Sequence, residues 1–290
     1  MPAWHSRRAP SATPALAARA QATTPARPWI WALAGTLLGA TATLAWQFPA
    51  RWAVGWIGDA TQQRVLLRDA RGSIWNGSAV LGVSGGPDSR DARLLPGRLS
   101  WTLAPAWWPD GAALALRLQL AHACCLNQPA RLLLRPQWGG GQFLLQGLDL
   151  QLPASLLEGL GTPWNTLALD GQISASTARW SGTYAQGRLA QQGQGRLQLQ
   201  SITSPVTPLR PIGSYQIRFQ AGDEQQPGPL RFTLTTLQGA LKLEGEGELG
   251  GAGWRFKGEA GTDAGHRAAL ANVLNLIGNR NGPIAFLIRR

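Results

Sequence analysis

The sequence predicts a mainly β protein, with a single N-terminal transmembrane helix followed by an antiparallel, curled β-sheet and two short helices. Three observations lead to this prediction. One long apolar segment lies near the N terminus, apolar and polar residues alternate over most of the remaining chain, and clusters of Gly, Pro, Asn and Asp separate the alternating runs. Of the 290 residues, about 240 follow the apolar segment, which is enough for one or two domains with a core.

The apolar segment, residues 29–48, contains no charged residue. A helix of about 20 residues rises about 30 Å, the thickness of the hydrocarbon core of a bilayer. Amphipathic aromatic rings prefer the headgroup level, and such rings lie at both ends of this segment. The predicted membrane belt consists of Trp29, Trp31, Trp46, Phe48 and Trp52, with Trp56 one turn further on.

This segment has two interpretations, a retained anchor or a cleaved secretory signal. Residues 40–42 (Ala-Thr-Ala) offer a small-x-small cleavage site, but signal cores are usually about 7–15 residues long, so the anchor is favoured. Residues 1–28 contain four arginines, no acidic residue and no apolar periodicity, which predicts a disordered cytoplasmic tail. Arginines also follow the segment, but a long downstream domain is translocated largely regardless of its charge. Residues 49–290 are therefore predicted to form a β-rich domain outside the cytoplasm.

The chain is strongly basic, with 27 Lys and Arg against 15 Asp and Glu and a net charge of +12. Such a balance first suggests nucleic acid or anionic lipid as a partner. The arginines, however, are spread singly and commonly occupy alternate positions in strand-like runs. This pattern favours solvated strand faces, and we expect no nucleic-acid partner.

The alternating runs place leucines on one face of each predicted strand and polar residues on the other. Two clear examples are Leu114, Leu116, Leu118 and Leu120, and Leu241, Leu243 and Leu249 opposite Lys242, Glu244, Glu246 and Glu248. A final apolar strand is predicted over residues 284–288. Short helices are predicted after Pro153 and after Asp263, which would N-cap the second one. Residues 51–68 could continue the anchor as an interfacial helix.

Two short helices cannot cover the leucine faces of so many strands, so the sheet must curl on itself. A sandwich, a barrel and an open half-pipe all satisfy this requirement, and the sequence does not choose among them. A sandwich or a barrel would fill its own core. A half-pipe would leave a leucine-lined groove able to shelter acyl chains or an apolar partner.

Two sequence patterns match catalytic or cofactor motifs but lie in the wrong context. Residues 245–250 (GEGELG) fit the dinucleotide fingerprint, yet no helix follows and the residues between the glycines are acidic. Residues 82–86 (GVSGG) fit the nucleophile elbow, yet the surroundings are antiparallel and a turn follows. Glu244, Glu246 and Glu248 are interpreted as a solvated strand face rather than a hard-cation site. We predict no catalytic residue, no cofactor and no enzyme activity.

Cys124 and Cys125 are the two cysteines of the chain and are adjacent. They could form a strained vicinal disulfide, pair with a partner chain, or serve as two small buried apolar side chains. His122 lies two residues earlier, but adjacent side chains on a strand point to opposite faces and no fourth ligand is nearby. The sequence therefore predicts no metal site.

Several segments resemble a known family. They are residues 72–77 (GSIWNG), 95–105 (LPGRLSWTLAP), 202–215 (ITSPVTPLRPIGSY), 237–241 (LQGAL) and 269–278 (ALANVLNLIG). Their order, after one anchor and a short tail, resembles type II secretion system protein N of Gram-negative bacteria, over nearly everything after residue 28. The chain is also similar to the AsmA-like group, whose β-sheet grooves are associated with lipid handling.

The resemblance implies an inner-membrane accessory subunit, with its domain in the periplasm, of the machinery that exports folded exoproteins across the outer membrane. Its expected partners are the inner-membrane platform, the outer-membrane channel and inner-membrane lipid. Two hypotheses follow. In the first, sheet edges and tryptophan-rich loops such as Trp107-Trp108 dock other secretion proteins by strand addition. In the second, the leucine faces form a groove that carries or senses lipid.

Overall fold

The structure, a computed structural model, describes residues 28–87, 89–111, 113–162, 164–222, 228–250, 253–277 and 284–288. The chain divides into two units, residues 1–45 and residues 46–290. The predicted disordered tail, except for its last residue, lies outside the described residues.

The first unit contains the helix α1 (Pro28–Trp46). Its large apolar side chains, including Trp31, Leu37 and Leu38, are exposed. Within the described part of the chain, no helix is both long and apolar enough to cross a membrane. The transmembrane span over residues 29–48 is therefore not confirmed and stays a prediction.

The described residues of the second unit contain a 14-stranded sheet. Its strands are β1 (Val65–Gly72), β2 (Asn76–Ser84), β3 (Ala92–Leu94), β4 (Leu99–Trp107), β5 (Leu114–His122), β6 (Ala130–Gln137), β7 (Gly140–Pro153), β8 (Asp170–Ala185), β9 (Arg188–Thr203), β10 (Gly213–Ala221), β11 (Leu230–Gly239), β12 (Leu241–Gly250), β13 (Gly253–Thr262) and β14 (Ile284–Ile288).

The sheet is a single open one. From β1 to β13 each strand pairs antiparallel with the next in space, with β3 a short branch on β2, while β14 returns parallel to β13. The prediction of a mainly β, antiparallel protein is confirmed. Because all the described strands share one sheet and β1 does not pair with β14, the sandwich and the closed barrel are wrong. Openness is what a half-pipe requires.

Irregular pairing keeps the apolar side chains on one face where long strands meet. Gly147 has a φ of +63° and interrupts the alternation of β7, so that Leu145 before it and Leu150 after it point to the same side. A register shift between Ser176 and Trp180 does the same for β8. The apolar face consequently runs without a break from β4 to β13.

The helices of the second unit are short. They are α2 (Ala50–Ala60), α3 (Trp164–Leu167), α4 (Arg267–Ile277) and two 3-10 helices, Ala154–Leu160 and Ala264–His266. The helices predicted after Pro153 and Asp263 are thus confirmed. Asp263, however, makes no side-chain capping hydrogen bond. The interfacial helix over residues 51–68 is wrong beyond Ala60, because residues 65–72 form strand β1 beside β2.

The core lies where helices and loops cover the second part of the sheet. One cluster joins Ile173, Ile202, Tyr215, Leu234 and Phe256 to Leu167 and Leu169 near α3. A second cluster packs α4, through Leu270, Val273 and Leu274, against Ile212, Leu241 and Ala260. The segment between β9 and β10 closes these clusters, since the Thr207 hydroxyl donates to the carbonyl oxygen of Ala269 at 2.8 Å.

Candidate docking surfaces

The side chains on the apolar face of β4–β8 are less buried than those of the core clusters. Across these strands Leu103, Leu118, Leu132, Leu145 and Trp180 are direct partners in one cross-strand row, here named the platform. All five are only half-buried. Among the described elements, the helices pack mainly on β1, β2, β3, β13 and β14, and on β8 the contact is made by the 3-10 helix Ala154–Leu160. A row of four leucines and one tryptophan that are only half-buried is a surface suited to an apolar ligand or partner.

The platform continues to one end of the sheet, where the hairpin tips carry exposed large apolar residues. We name this set the rim; it consists of Trp107, Leu114, Trp138, Tyr184 and Leu189. The strand register brings them together, because Trp107 pairs with Leu114, and the tips after β6 and β8 lie at the same end. Trp138 is fully exposed, at 106% of its reference area. Such a concentration of exposed aromatic rings is typical of interaction sites.

The first edge of the sheet is protected. Strand β1 carries Arg68, Asp69 and Arg71, and its pairing with β2 is interrupted between Arg68 and Arg71, where Asp69 has a φ of +50°. The Asp69 carboxylate accepts hydrogen bonds from Arg98 at 2.7 Å and Arg71 at 2.8 Å. These guanidinium groups, Arg98 first, hold the pKa of Asp69 below its ordinary value. Charges and a bulge discourage another strand from pairing with this edge.

Within the described residues, the opposite edge shows neither charged side chains nor a bulge. Strand β14, Ile284–Ile288, contains only apolar residues and, among the described strands, pairs only with β13. Its other side therefore presents backbone N–H and C=O groups to which an extended segment of another chain could add.

His122, Cys124 and Cys125 meet at the end of the sheet opposite the rim. The cysteines lie in the turn after β5 and form a disulfide. The expectation that they point to opposite faces of a strand is wrong, because the chain has left the sheet by residue 123. The backbone N–H of Cys124 donates to Nδ1 of His122 at 3.4 Å, and a ring nitrogen of His122 and both sulfur atoms lie within 4.8 Å of one another.

The imidazole of His122 is 4% exposed and lies on the platform side of β5 beside Leu99. Its Nε2 atom is buried and has no hydrogen-bond partner. Burial lowers the pKa of His122, because the charged ring would lose its hydration. A buried polar atom without a partner costs about 1–3 kcal/mol, so its position calls for an explanation.

Residues 245–250 lie in a strand, as predicted, and residues 82–86 run from the end of β2 into the turn predicted there. Residues 245–250 belong to β12, where Gly245 and Gly247 lie close against the rings of Phe256 and Phe232. Ser84 ends β2, is buried, and donates its hydroxyl to the carbonyl oxygen of Gly86 at 3.2 Å. Each motif therefore has a structural role in this fold. On the polar face, Glu246 lies opposite Lys257, and Glu248 opposite Arg255.

The predicted belt residues lie on the helices α1 and α2 and in the short segment between them. Trp29 and Trp31 are exposed on α1, and Trp52 and Trp56 are exposed one turn apart on α2. The rings of Phe48 and Trp52 lie 5.8 Å apart. The side chain of Trp46 lies outside the described part of the chain.

The segments that carry the family resemblance contact each other. The Trp101 indole donates to the carbonyl oxygen of Ile74 at 3.1 Å and covers Gly77, where a Cβ would lie 2.5 Å from the ring. The Tyr215 hydroxyl likewise donates to the carbonyl oxygen of Leu241 at 3.2 Å. These motifs join neighbouring strands and stabilise the fold. The rim was missed as a site, although its Trp107-Trp108 pair was singled out, because only the register brings distant hairpins together.

Comparison with known protein families gives a match over most of the chain. The model of the family described as type II secretion system (T2SS), protein N, matches residues 63–289. The matched range begins just before β1 and ends just after β14, so it covers the whole sheet. Neither a curated protein nor a solved structure matches the chain.

Proposed function

Since this chain belongs to the type II secretion system protein N family, we propose that it is an inner-membrane-anchored, non-enzymatic accessory subunit of that machinery, acting in the export of folded exoproteins across the outer membrane. In this proposal the apolar segment 29–48 anchors the chain and the sheet lies in the periplasm. The family is one of structural secretion subunits, and membership implies interaction with other subunits of the system.

The rim is the observation that carries the docking function. Trp107, Trp138 and Tyr184 are between 51% and 106% exposed, although burying one such ring yields about 1.5–3 kcal/mol. Tryptophan and tyrosine dominate the energetics of protein interfaces. The bare edge of β14 offers a second contact by strand addition. We expect the rim to bind a subunit of the inner-membrane part of the secretion machinery or of its outer-membrane channel. Strand β14 would add backbone hydrogen bonds to this contact.

The platform supports a second function, the binding of lipid. Its four leucines and Trp180 are half-buried over five adjacent strands, an arrangement that can accommodate acyl chains. The apolar face continues from the platform to the rim, so a lipid could enter at that end of the sheet. This alternative uses the platform, which adjoins the rim, and its ligand is lipid rather than a protein subunit.

Site-specific photo-crosslinking in secreting cells distinguishes the two functions. A photoreactive amino acid replaces Trp107 or Trp138 on the rim, and Gln119 or Arg131, which are exposed on the opposite face, in matched controls. We expect the rim positions to crosslink to type II secretion subunits and the control positions not to do so. Crosslinks to phospholipid alone, identified by mass spectrometry, would favour the lipid function. Equal crosslinking from both faces would contradict both.

A further inference from the structure

We infer that His122, Cys124 and Cys125 form a binding site for the soft monovalent cation copper(I), closed while the cysteines are joined and opened by their reduction. This site lies at the end of the sheet opposite the rim, so the inference goes beyond the proposed docking function and does not depend on it. It rests on the proximity of three donors and on the burial of the histidine.

The first observation is the donor set. Two thiolates and one imidazole are soft or intermediate ligands, which select copper(I) or zinc over calcium and magnesium. The donor atoms lie within 4.8 Å of one another, so small side-chain rotations would bring them around one ion. The turn at residues 123–125 directs both cysteine side chains towards His122, which a continued strand would not do.

The second observation is the state of His122. The ring is nine-tenths buried among apolar neighbours, and Nε2 has no hydrogen-bond partner. Its Cε1 atom lies near Gly97, where a Cβ would make an ordinary contact at 3.4 Å. A neutral imidazole held in a fixed orientation is the form in which histidine binds metals. Nδ1 accepts the hydrogen bond from the Cys124 backbone N–H, so in the neutral ring Nδ1 carries the lone pair available to a metal and Nε2 carries the proton.

The number of donors favours copper(I) over zinc. Structural zinc sites use four protein ligands in a tetrahedron, whereas the cluster in the described residues offers three. Copper(I) has a filled d shell and accepts three ligands in a plane. A partly buried site with apolar walls also disfavours a doubly charged ion more than a singly charged one.

Reduction of the disulfide supplies the ligands. Cys124 is exposed and Cys125 is 3% exposed, so the thiolate of a dithiol reductant would attack Sγ of Cys124. The bond between the two cysteine sulfurs breaks, and Cys125 leaves as a thiolate and takes a proton. The second thiol of the reductant then attacks the reductant's own sulfur in the mixed disulfide, and Cys124 leaves as a thiolate and takes a proton. The reductant departs as a cyclic disulfide, having given up two electrons and two protons. Binding of copper(I) displaces the protons from both cysteine thiols.

The test is a competition for copper(I) with the chromophoric chelator bicinchoninate, performed without oxygen on the full chain in detergent micelles. The reduced sample contains a phosphine, which holds the cysteines as thiols, and the oxidised sample contains no reductant. We expect the reduced protein to withdraw one equivalent of copper(I) and the oxidised protein to withdraw none. His122→Phe should weaken binding more than about tenfold, because even the loss of a group that only orients a metal ligand costs about 10–100-fold in affinity. Zinc should bind more weakly under the same conditions.

Two controls keep the test decisive. His266→Phe removes an exposed imidazole on the other part of the chain and should leave copper binding unchanged. If His122→Phe fails to fold, X-ray absorption of the wild-type copper complex replaces it, with two sulfur and one nitrogen neighbours expected. The inference is overturned if the reduced protein withdraws no copper(I), if His122→Phe binds like the wild type, or if zinc binds more tightly.

Discussion

The two halves of the sheet have similar apolar faces but differ in what covers them. On β8–β13 the face is sealed by a 3-10 helix, α3, α4 and the segment after β9, and residues such as Ile173 and Leu234 are buried. On β4–β7 the leucines of the platform are half-exposed, and no helix packs on them as its main partner. The half formed by β8–β13 thus resembles a core, and the half formed by β4–β7 resembles a binding surface. The same alternating pattern can serve stability or interaction, depending on which elements fold over it.

The largest expected difference between the halves comes from a buried charge. We predict that Leu234→Asp, at a site 8% exposed in the core, prevents stable folding because an unpaired carboxylate there loses its hydration. Leu118→Asp on the platform should still fold, since water reaches its side chain. Far-UV circular dichroism and thermal unfolding of the two purified variants check this. A Leu118→Asp variant that also fails to fold would show that the platform is a core.

A substitution that leaves a cavity measures the difference in burial between the two halves of the sheet more finely. Leu270→Ala removes a side chain that α4 buries completely and should lower the free energy of unfolding by about 2–5 kcal/mol. The same change at Leu132 on the platform should cost about 1 kcal/mol, because less area is buried there. Denaturant unfolding of both variants provides the comparison. Equal losses at the two sites would remove the distinction between the halves.

The rim should affect function without affecting stability. Trp138→Ser should change the free energy of unfolding by less than about 0.5 kcal/mol, because the ring is fully exposed. We expect it to reduce secretion of an exoprotein and crosslinking at Trp107. Gln119→Ser, on the opposite face, is the matched control. Normal secretion by a Trp107→Ser, Trp138→Ser double variant would exclude the rim as a docking surface.

The smallest effect concerns the protected edge of β1. The pKa of Asp69 is lowered in the folded protein by Arg98 and Arg71, so its stabilising contribution is present above the unfolded pKa, about 3.9. It is lost as the pH falls through the folded value. The difference in melting temperature between the wild type and Asp69→Asn should therefore shrink as the pH falls from about 5 to below 3. A difference that is constant with pH would assign the effect of Asp69 to its shape rather than its charge.

Local patterns predicted the strands well, because alternation of apolar and polar residues directly reflects which face of a strand is buried. The final strand over residues 284–288 was predicted from a short apolar run, and the helix containing Leu270 from the helical spacing of its apolar residues. The strand β1 was missed, because Arg68, Asp69 and Arg71 break its alternation and its pairing is bulged. The turn at Cys124 was missed as well, since a turn of apolar and sulfur-containing residues lacks the usual Gly, Pro or Asn signal.

By itself the sequence determined the class of fold, the single apolar segment and the family resemblance, because these depend on the type and order of residues along the chain. Only the tertiary structure decided that the sheet is open, that one half of its apolar face is covered, and that five distant apolar residues share a rim. It also decided that His122 meets both cysteines. These properties depend on strand register and on where loops fold back, and both are set by long-range contacts that no local pattern encodes.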